Sequence, residues 1–233
     1  YGITLLTNDR RIPFWNNGLV KNNRVHINTK INTGDIYIKQ NALDFINNIK
    51  QNSLSDLVTS DGGFDYSHDY NHQEETSYKL LYSEIYIALH VQKMNGHFVL
   101  KVFDLFHSLT IQLLYILYCH YDKICVYKPS TSRLSNSEKY IVCLGFRGCS
   151  DTTKQILKTY FDTCQDLKLD VPETFIQEIN QYNDNYVSLQ TKTIEEIIEL
   201  KSEEVNPSKL QIQTAKRWCE LYNLPINKDC IYF

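Results

Sequence analysis

The sequence lacks the features that would place it in a membrane, in an oxidised compartment or around a zinc ion. No stretch approaches the roughly 18 uninterrupted apolar residues that a membrane span needs. The most apolar run, Leu113 to Cys119, is broken by tyrosines and followed by His120 and Tyr121. No secretory signal is visible. Seven cysteines, Cys119, Cys125, Cys143, Cys149, Cys164, Cys219 and Cys230, form no CxxC pair and no Cys/His cluster at zinc spacing. Several lie within apolar segments, as reduced thiols used like small core hydrophobes do. That implies a reducing compartment, the nucleus or the cytoplasm. A strong charge of one sign is lacking too. With 24 Lys and Arg against 27 Asp and Glu the net charge is −3, so bulk charge announces no nucleic-acid partner. Any RNA site must be a local basic groove.

What is present is an ordinary globular chain of 233 residues, 42% hydrophobic and 22% charged. That length suits one domain plus an extension. The sequence starts at Tyr1 with no initiator Met, and Gly2–Leu6 reads as a strand already under way, so it is expected to be a fragment.

Up to about Gly148, short β-rich runs alternate with helical patterns, the mark of a βαβ sheet. Strands are predicted over Gly2–Leu6, Asp35–Ile38, Asp56–Ser60, Phe98–Phe103, Ile124–Lys128 and Tyr140–Gly145. Helices are predicted over Ala42–Ile49, Glu74–Lys93 and Leu109–Tyr121. The apolar cores Leu57-Val58-Thr59 and Phe98-Val99-Leu100 suit strands buried on both faces. The last two strands are joined by Pro129 to Lys139 without a helix, which predicts an antiparallel pair at the sheet edge. Residues 1–148 thus form a mostly parallel α/β sheet ending in an antiparallel hairpin. Residues 149–233 read as a helical extension, with helices over Asp151–Leu167, Pro172–Tyr182, Thr193–Ser202 and Pro207–Tyr222.

Open parallel sheets bind ligands at the carboxyl ends of their strands. There Asp61 precedes Gly62 and Gly63, a sharp turn that brings a carboxylate over the sheet edge, although a plain tight turn has the same composition. Lys101 stands among apolar residues in Phe98-Val99-Leu100-Lys101-Val102-Phe103. It is either a snorkelling lysine on an edge strand or a desolvated amine whose lowered pKa suits a general base. Glu138 precedes an apolar strand and would sit at its mouth; alone it reads as an exposed strand-start carboxylate. Asp61, Lys101 and Glu138 together offer a lysine flanked by carboxylates. That arrangement can take the proton of a weakly acidic ribose 2′-hydroxyl and calls for no metal.

These residues resemble the FtsJ/RrmJ-like ribose methyltransferases, which carry a Lys-Asp-Lys-Glu tetrad, and within them the cap-specific mRNA nucleoside-2′-O-methyltransferases of eukaryotes and large DNA viruses. The likeness runs through Gly2-Ile3-Thr4-Leu5, Gly34-Asp35-Ile36, Ser60-Asp61-Gly62-Gly63-Phe64, Asn71-His72-Gln73-Glu74, Gly96 to Phe106 and Lys128 to Cys143. A weaker likeness continues through Ser188-Leu189-Gln190 to Trp218–Pro225. The resemblance implies a Rossmann-like S-adenosylmethionine methyltransferase sheet with S-adenosyl-L-methionine as cofactor. It makes Asp61, Lys101 and Glu138 the last three tetrad members, with Lys101 the base. Asp35, Ile36 and Asp61 would contact the methyl donor, and Asn71, His72, Gln73 and Asn136 the RNA. For Asn71 and Gln73, helix capping is the competing role. The family's first lysine and Gly-rich cofactor loop lie upstream of the strand with which this sequence begins, and Leu134 stands where many relatives have Pro. The expected partner is a capped mRNA 5′ end, with capping or transcription machinery beside it. Two other functions stay open: a ribosomal or transfer RNA ribose methyltransferase, and a non-catalytic methyltransferase-like RNA-binding or assembly module.

Overall fold

The computed structural model describes residues 1–6, 15–27, 33–63, 69, 71–200 and 207–229. Among them the elements run α1 (Asn17–Val20), α2 (Lys39–Asn52), β1 (Ser55–Ser60), α3 (Gln73–Val91), β2 (Gln92–Val102), α4 (Ser108–His120), β3 (Tyr121–Tyr127), β4 (Lys139–Phe146), α5 (Asp151–Thr159), α6 (Glu173–Glu199) and α7 (Lys209–Leu221). The chain divides into two compact units, Tyr1–Thr191 and Lys192–Phe233. In the second, α7 begins with a capping box in which Ser208 and Gln211 satisfy each other's backbone N–H. No helix among the described residues is long and apolar enough to cross a membrane.

The strands form one mixed sheet in the order β1-β2-β4-β3. β1 and β2 are parallel, while β4 runs antiparallel to both of its neighbours. Three strands therefore point one way, and the β3–β4 hairpin lies at one edge as expected. β4 returns between β2 and β3, because the eleven-residue link allows the chain to double back without a crossover helix.

Alternation along β2 sets the layers. Phe98, Leu100 and Val102 are fully buried, while Val99 and Lys101 between them are only partly so. The buried face packs on Tyr82, Ile85, Ala88 and Leu89 of α3 and on Leu113 and Leu117 of α4. The segment beyond β4 shares this core: Leu157, Phe161, Cys164, Leu167 and Ile179 all belong to it. The Tyr82 hydroxyl donates to Leu157 O at 2.8 Å, and Phe161 meets the Tyr82 and Tyr86 rings edge-on.

Several sequence expectations are corrected. β1 is not buried on both faces; it is an edge strand of the described sheet, and Leu57 is 57% exposed. Among the described residues Gly2–Leu6 forms one parallel bridge, Gly2 to Ile27, and the Leu6 N–H donates to Thr33 O at 2.7 Å. Asp35–Ile38 is a turn. The Asp35 carboxylate accepts the Tyr37 N–H at 2.9 Å, a local bond that competes with strand pairing. α5 ends at Thr159, and the chain then bends so that Phe161 and Cys164 reach the core. The two helices predicted over Pro172–Tyr182 and Thr193–Ser202 are one, α6, since no Gly or Pro interrupts that stretch. Phe64 and Cys230 lie outside the described residues.

Replacing Phe161 with Ala should cost about 3–5 kcal/mol of folding free energy in urea titrations. A loss below about 1 kcal/mol would show that the segment after β4 does not share the sheet's core.

Candidate active site

β1 ends at Ser60, which pairs with Leu100, so the next residue, Asp61, falls beside Lys101. The Lys101 ammonium stands 2.9 Å from Asp61 Oδ1 and donates to Asp61 O at 3.0 Å. Its side chain is 14% exposed, against 75% for Asp61. The apolar neighbours of Lys101 in sequence are thus not its neighbours in space. The period of two turns Val102 and Leu100 into the core and leaves Lys101 on the opposite, half-open face.

Two glycines bring the turn this close. A Cβ on Gly62 would stand 2.7 Å from Glu84 Oε1 and 2.8 Å from Leu80 Cδ2, and one on Gly63 would stand 3.3 Å from Lys101 Nζ. Glu84, on α3 and 8% exposed, accepts the Gly62 N–H at 3.1 Å. Burial pushes its carboxyl up to about 8, against the Gly62 hydrogen bond and the Lys101 charge.

Glu138 lies on the Lys101 face, and no hydrogen bond or ion pair among the described residues joins the two. Lys101 pairs directly with Tyr140 across β2 and β4, and directly opposed residues share a face. Glu138 precedes Tyr140 by two positions, so it falls on that face too. The Tyr140 hydroxyl donates to Glu138 Oε1 at 3.0 Å. Burial, then this bond, pushes the phenol up to about 12, so it remains a donor at neutral pH.

Asp35 and Ile36 enter α2 through the turn described above, and no hydrogen bond or ion pair among the described residues joins Asp35 to Asp61 or Lys101. Asn71 and His72 lead into α3. Asp69 accepts the Asn71 N–H at 3.1 Å and pairs with His72 Nδ1 at 2.7 Å, a hydrogen bond that raises the His72 pKa. The N-cap is His72, and its side chain makes no capping bond. Gln73 is buried and accepts the Ser137 hydroxyl at 2.8 Å, tying α3 to the β3–β4 link. Asn136, in that link, accepts from Lys128 through both its side-chain and main-chain oxygens. Burial lowers the Lys128 pKa, and the Glu138 charge opposes that shift.

Four further residues support this arrangement without having been singled out in the sequence: Glu84, Lys128, Lys139 and Tyr186. Lys139 is 1% exposed, 3.6 Å from Asp104 Oδ1 and 4.1 Å from the centre of the Tyr186 ring. Burial outweighs the pairing for both ions: Lys139 is pulled down to about 8 and Asp104 is raised. Glu84, set among the apolar residues of α3, carried a signal like that of Lys101, a charge within an apolar run, whereas Lys139 stands only at the start of one. Tyr186 carried none.

A carboxylate-paired lysine at the end of a parallel strand, over a glycine turn, fits a methyltransferase of the Rossmann-like class. Residues 1–146 match the FtsJ-like methyltransferase model, and the chain belongs to that family. The mouse cap-specific mRNA (nucleoside-2′-O-)-methyltransferase 1 is 34% identical over 209 residues, 82% of this chain and 25% of that protein. Its human counterpart is 32% identical over the same shares. The zebrafish cap-specific mRNA (nucleoside-2′-O-)-methyltransferase 2 is 32% identical over 177 residues, 72% of this chain and 24% of its own. This chain therefore spans about a quarter of the length of the curated relatives it matches.

Glu84 holds its proton more tightly folded than unfolded, where its carboxyl has the ordinary value of 4.5. The stability it contributes is complete below pH 4.5 and is lost as pH rises towards about 8. Relative to Glu84→Gln, the wild-type urea midpoint should fall across that window and level off above it. Parallel curves would mean that Glu84 is ionised in the fold.

Proposed function

We propose that this chain is the base-bearing part of an S-adenosylmethionine-dependent RNA 2′-O-ribose methyltransferase acting on capped mRNA, with the first transcribed nucleotide as target. The observation that carries the proposal is the Lys101–Asp61 pair on the half-open face of β2. To act as base, Lys101 must first give up one ammonium proton; Nζ then takes the ribose 2′-hydroxyl proton as the oxygen becomes a nucleophile. Asp61 aims the amine through two contacts, one to its carboxylate and one to its main-chain oxygen. Tyr140 directs Glu138 from the far side.

S-adenosylmethionine supplies an electrophilic methyl group. Of the described residues, Asp35 and Ile36 would hold its adenosine part and Asp61 would face it. Two observations fit such a group. Gly63 keeps open the space before Lys101 Nζ that a Cβ would enter. Asp35 uses Oδ1 locally, and its Oδ2 has no partner among the described residues. Asn71, His72, Gln73 and Asn136 would line the RNA path, since Gln73 and Ser137 join the two segments that carry them. The matched relatives are named for capped mRNA, which favours a capped 5′ end as partner, capping or transcription machinery nearby, and a nuclear or cytoplasmic location.

In the full-length protein, methyl transfer should require a capped RNA and should map to the first transcribed nucleotide by mass spectrometry of nuclease digests. Equal transfer to uncapped RNA would defeat the cap assignment. Lys101→Ala should lower kcat by about 10²–10⁴ while leaving the circular dichroism spectrum unchanged. Retained turnover would remove Lys101 as the base.

A further inference from the structure

The link between β3 and β4 is tied down at every residue from Ser135 to Glu138. Gln190 of α6 donates to Ser135 O at 3.1 Å, and the Tyr186 hydroxyl donates to Asn136 O at 2.5 Å. The Ser137 hydroxyl is taken by Gln73. The Lys128 ammonium donates to three acceptors: Asn136 O at 2.9 Å, Asn136 Oδ1 at 2.5 Å and Glu138 O at 2.6 Å. The Tyr186 ring lies 5.7 Å below Lys128 and 4.1 Å below Lys139, so one ring from α6 supports both cations.

This clamp has a chemical consequence for one side chain. A lysine ammonium only donates hydrogen bonds, so the Asn136 atom beside Lys128 must be the amide oxygen. The amide therefore cannot flip, and its NH2 group is on the other side, where Nδ2 has no partner among the described residues. A half-buried amide with a fixed acceptor and a free pair of N–H donors is prepared for an acceptor from outside the chain.

We propose that Lys128 and Tyr186 are positioning residues that lock the Asn136 amide with its NH2 turned to the substrate, where it donates to a phosphate or sugar oxygen of the RNA. This deepens the function proposed above and rests on it. The role is distinct from packing, because it predicts that Lys128 and Asn136 act on the RNA as one unit.

The test uses the full-length protein and a fluorescent capped oligoribonucleotide, with Asn136→Ala, Lys128→Met and the double variant. Each single change should weaken RNA binding about tenfold, the scale of one hydrogen bond. The double variant should be no weaker than Asn136→Ala alone, and the KM for the methyl donor should not move. Additive losses, about a hundredfold in the double variant, would overturn the proposal. Tyr186→Phe removes one hydroxyl and keeps the ring, so it decides the matter if Lys128→Met does not fold. It should weaken RNA binding and should not add to Asn136→Ala; unchanged affinity would overturn the clamp. If the wild type binds the RNA but transfers no methyl group, the enzymatic reading fails and the binding comparison still decides the donor role. A wild type that binds no RNA overturns this inference as well.

Discussion

The pleat of β2 is the constraint from which the rest follows. A strand that sends Phe98, Leu100 and Val102 to one side must send Lys101 to the other, and only one register does both. Burying three large side chains at about 25 cal/mol per Å² of apolar area removes any freedom to slip, since a shift of one residue would drive the ammonium into the core. Hydrophobic packing on the far face therefore helps to hold the candidate site in place. The parallel neighbour on one side of β2 brings Asp61, and the antiparallel neighbour on the other brings Tyr140 and Glu138. A lysine between strands of opposite sense receives its partners from two separate parts of the chain.

Much of this was legible in the sequence. Asp61-Gly62-Gly63 after a β-rich run and a lysine inside an apolar hexamer were enough to expect Asp61 and Lys101 at neighbouring strand ends, where they meet. Strand existence was read well where β-branched and aromatic residues clustered. It failed at Asp35–Ile38, where an aspartate closes its own turn, and at Leu57, which an apolar run marks as interior although it faces outward at an edge. The layer beyond β4 was harder. Phe161 reaches the core only because α5 stops early, and short-range periodicity cannot anticipate where a chain bends to deliver one ring. Tyr186 meets Asn136 across fifty positions, a pairing no local pattern encodes.

Charges inside this unit serve main-chain groups more than each other. Glu74 is buried to accept the Phe106 and His107 N–H groups, both at 3.0 Å, at the entry of α4. Glu84 does the same for Gly62. Lys128 spends its bonds on Asn136 and Glu138. In each case an ionisable side chain ties down a non-helical segment, and for Glu84 and Lys128 that segment carries candidate functional residues. The desolvation this incurs appears as the raised carboxyl of Glu84 and the lowered amines of Lys128 and Lys139. The loops at the strand ends are thereby fixed by neighbours whose own positions are set by the core.

The bonds from Tyr186 and Gln190 also order events in time. A chain leaving the ribosome exposes β1, β2 and both strands of the hairpin well before α6 emerges, so the sheet can pair while the link between β3 and β4 still lacks two of its supports. Both members of the Lys101–Asp61 pair are made early, whereas the Ser135–Glu138 loop also takes a bond from residue 190. Lysine pair and loop can thus be completed at different stages of synthesis. A nascent chain halted between those stages contains both residues of the lysine pair but only part of the loop's support.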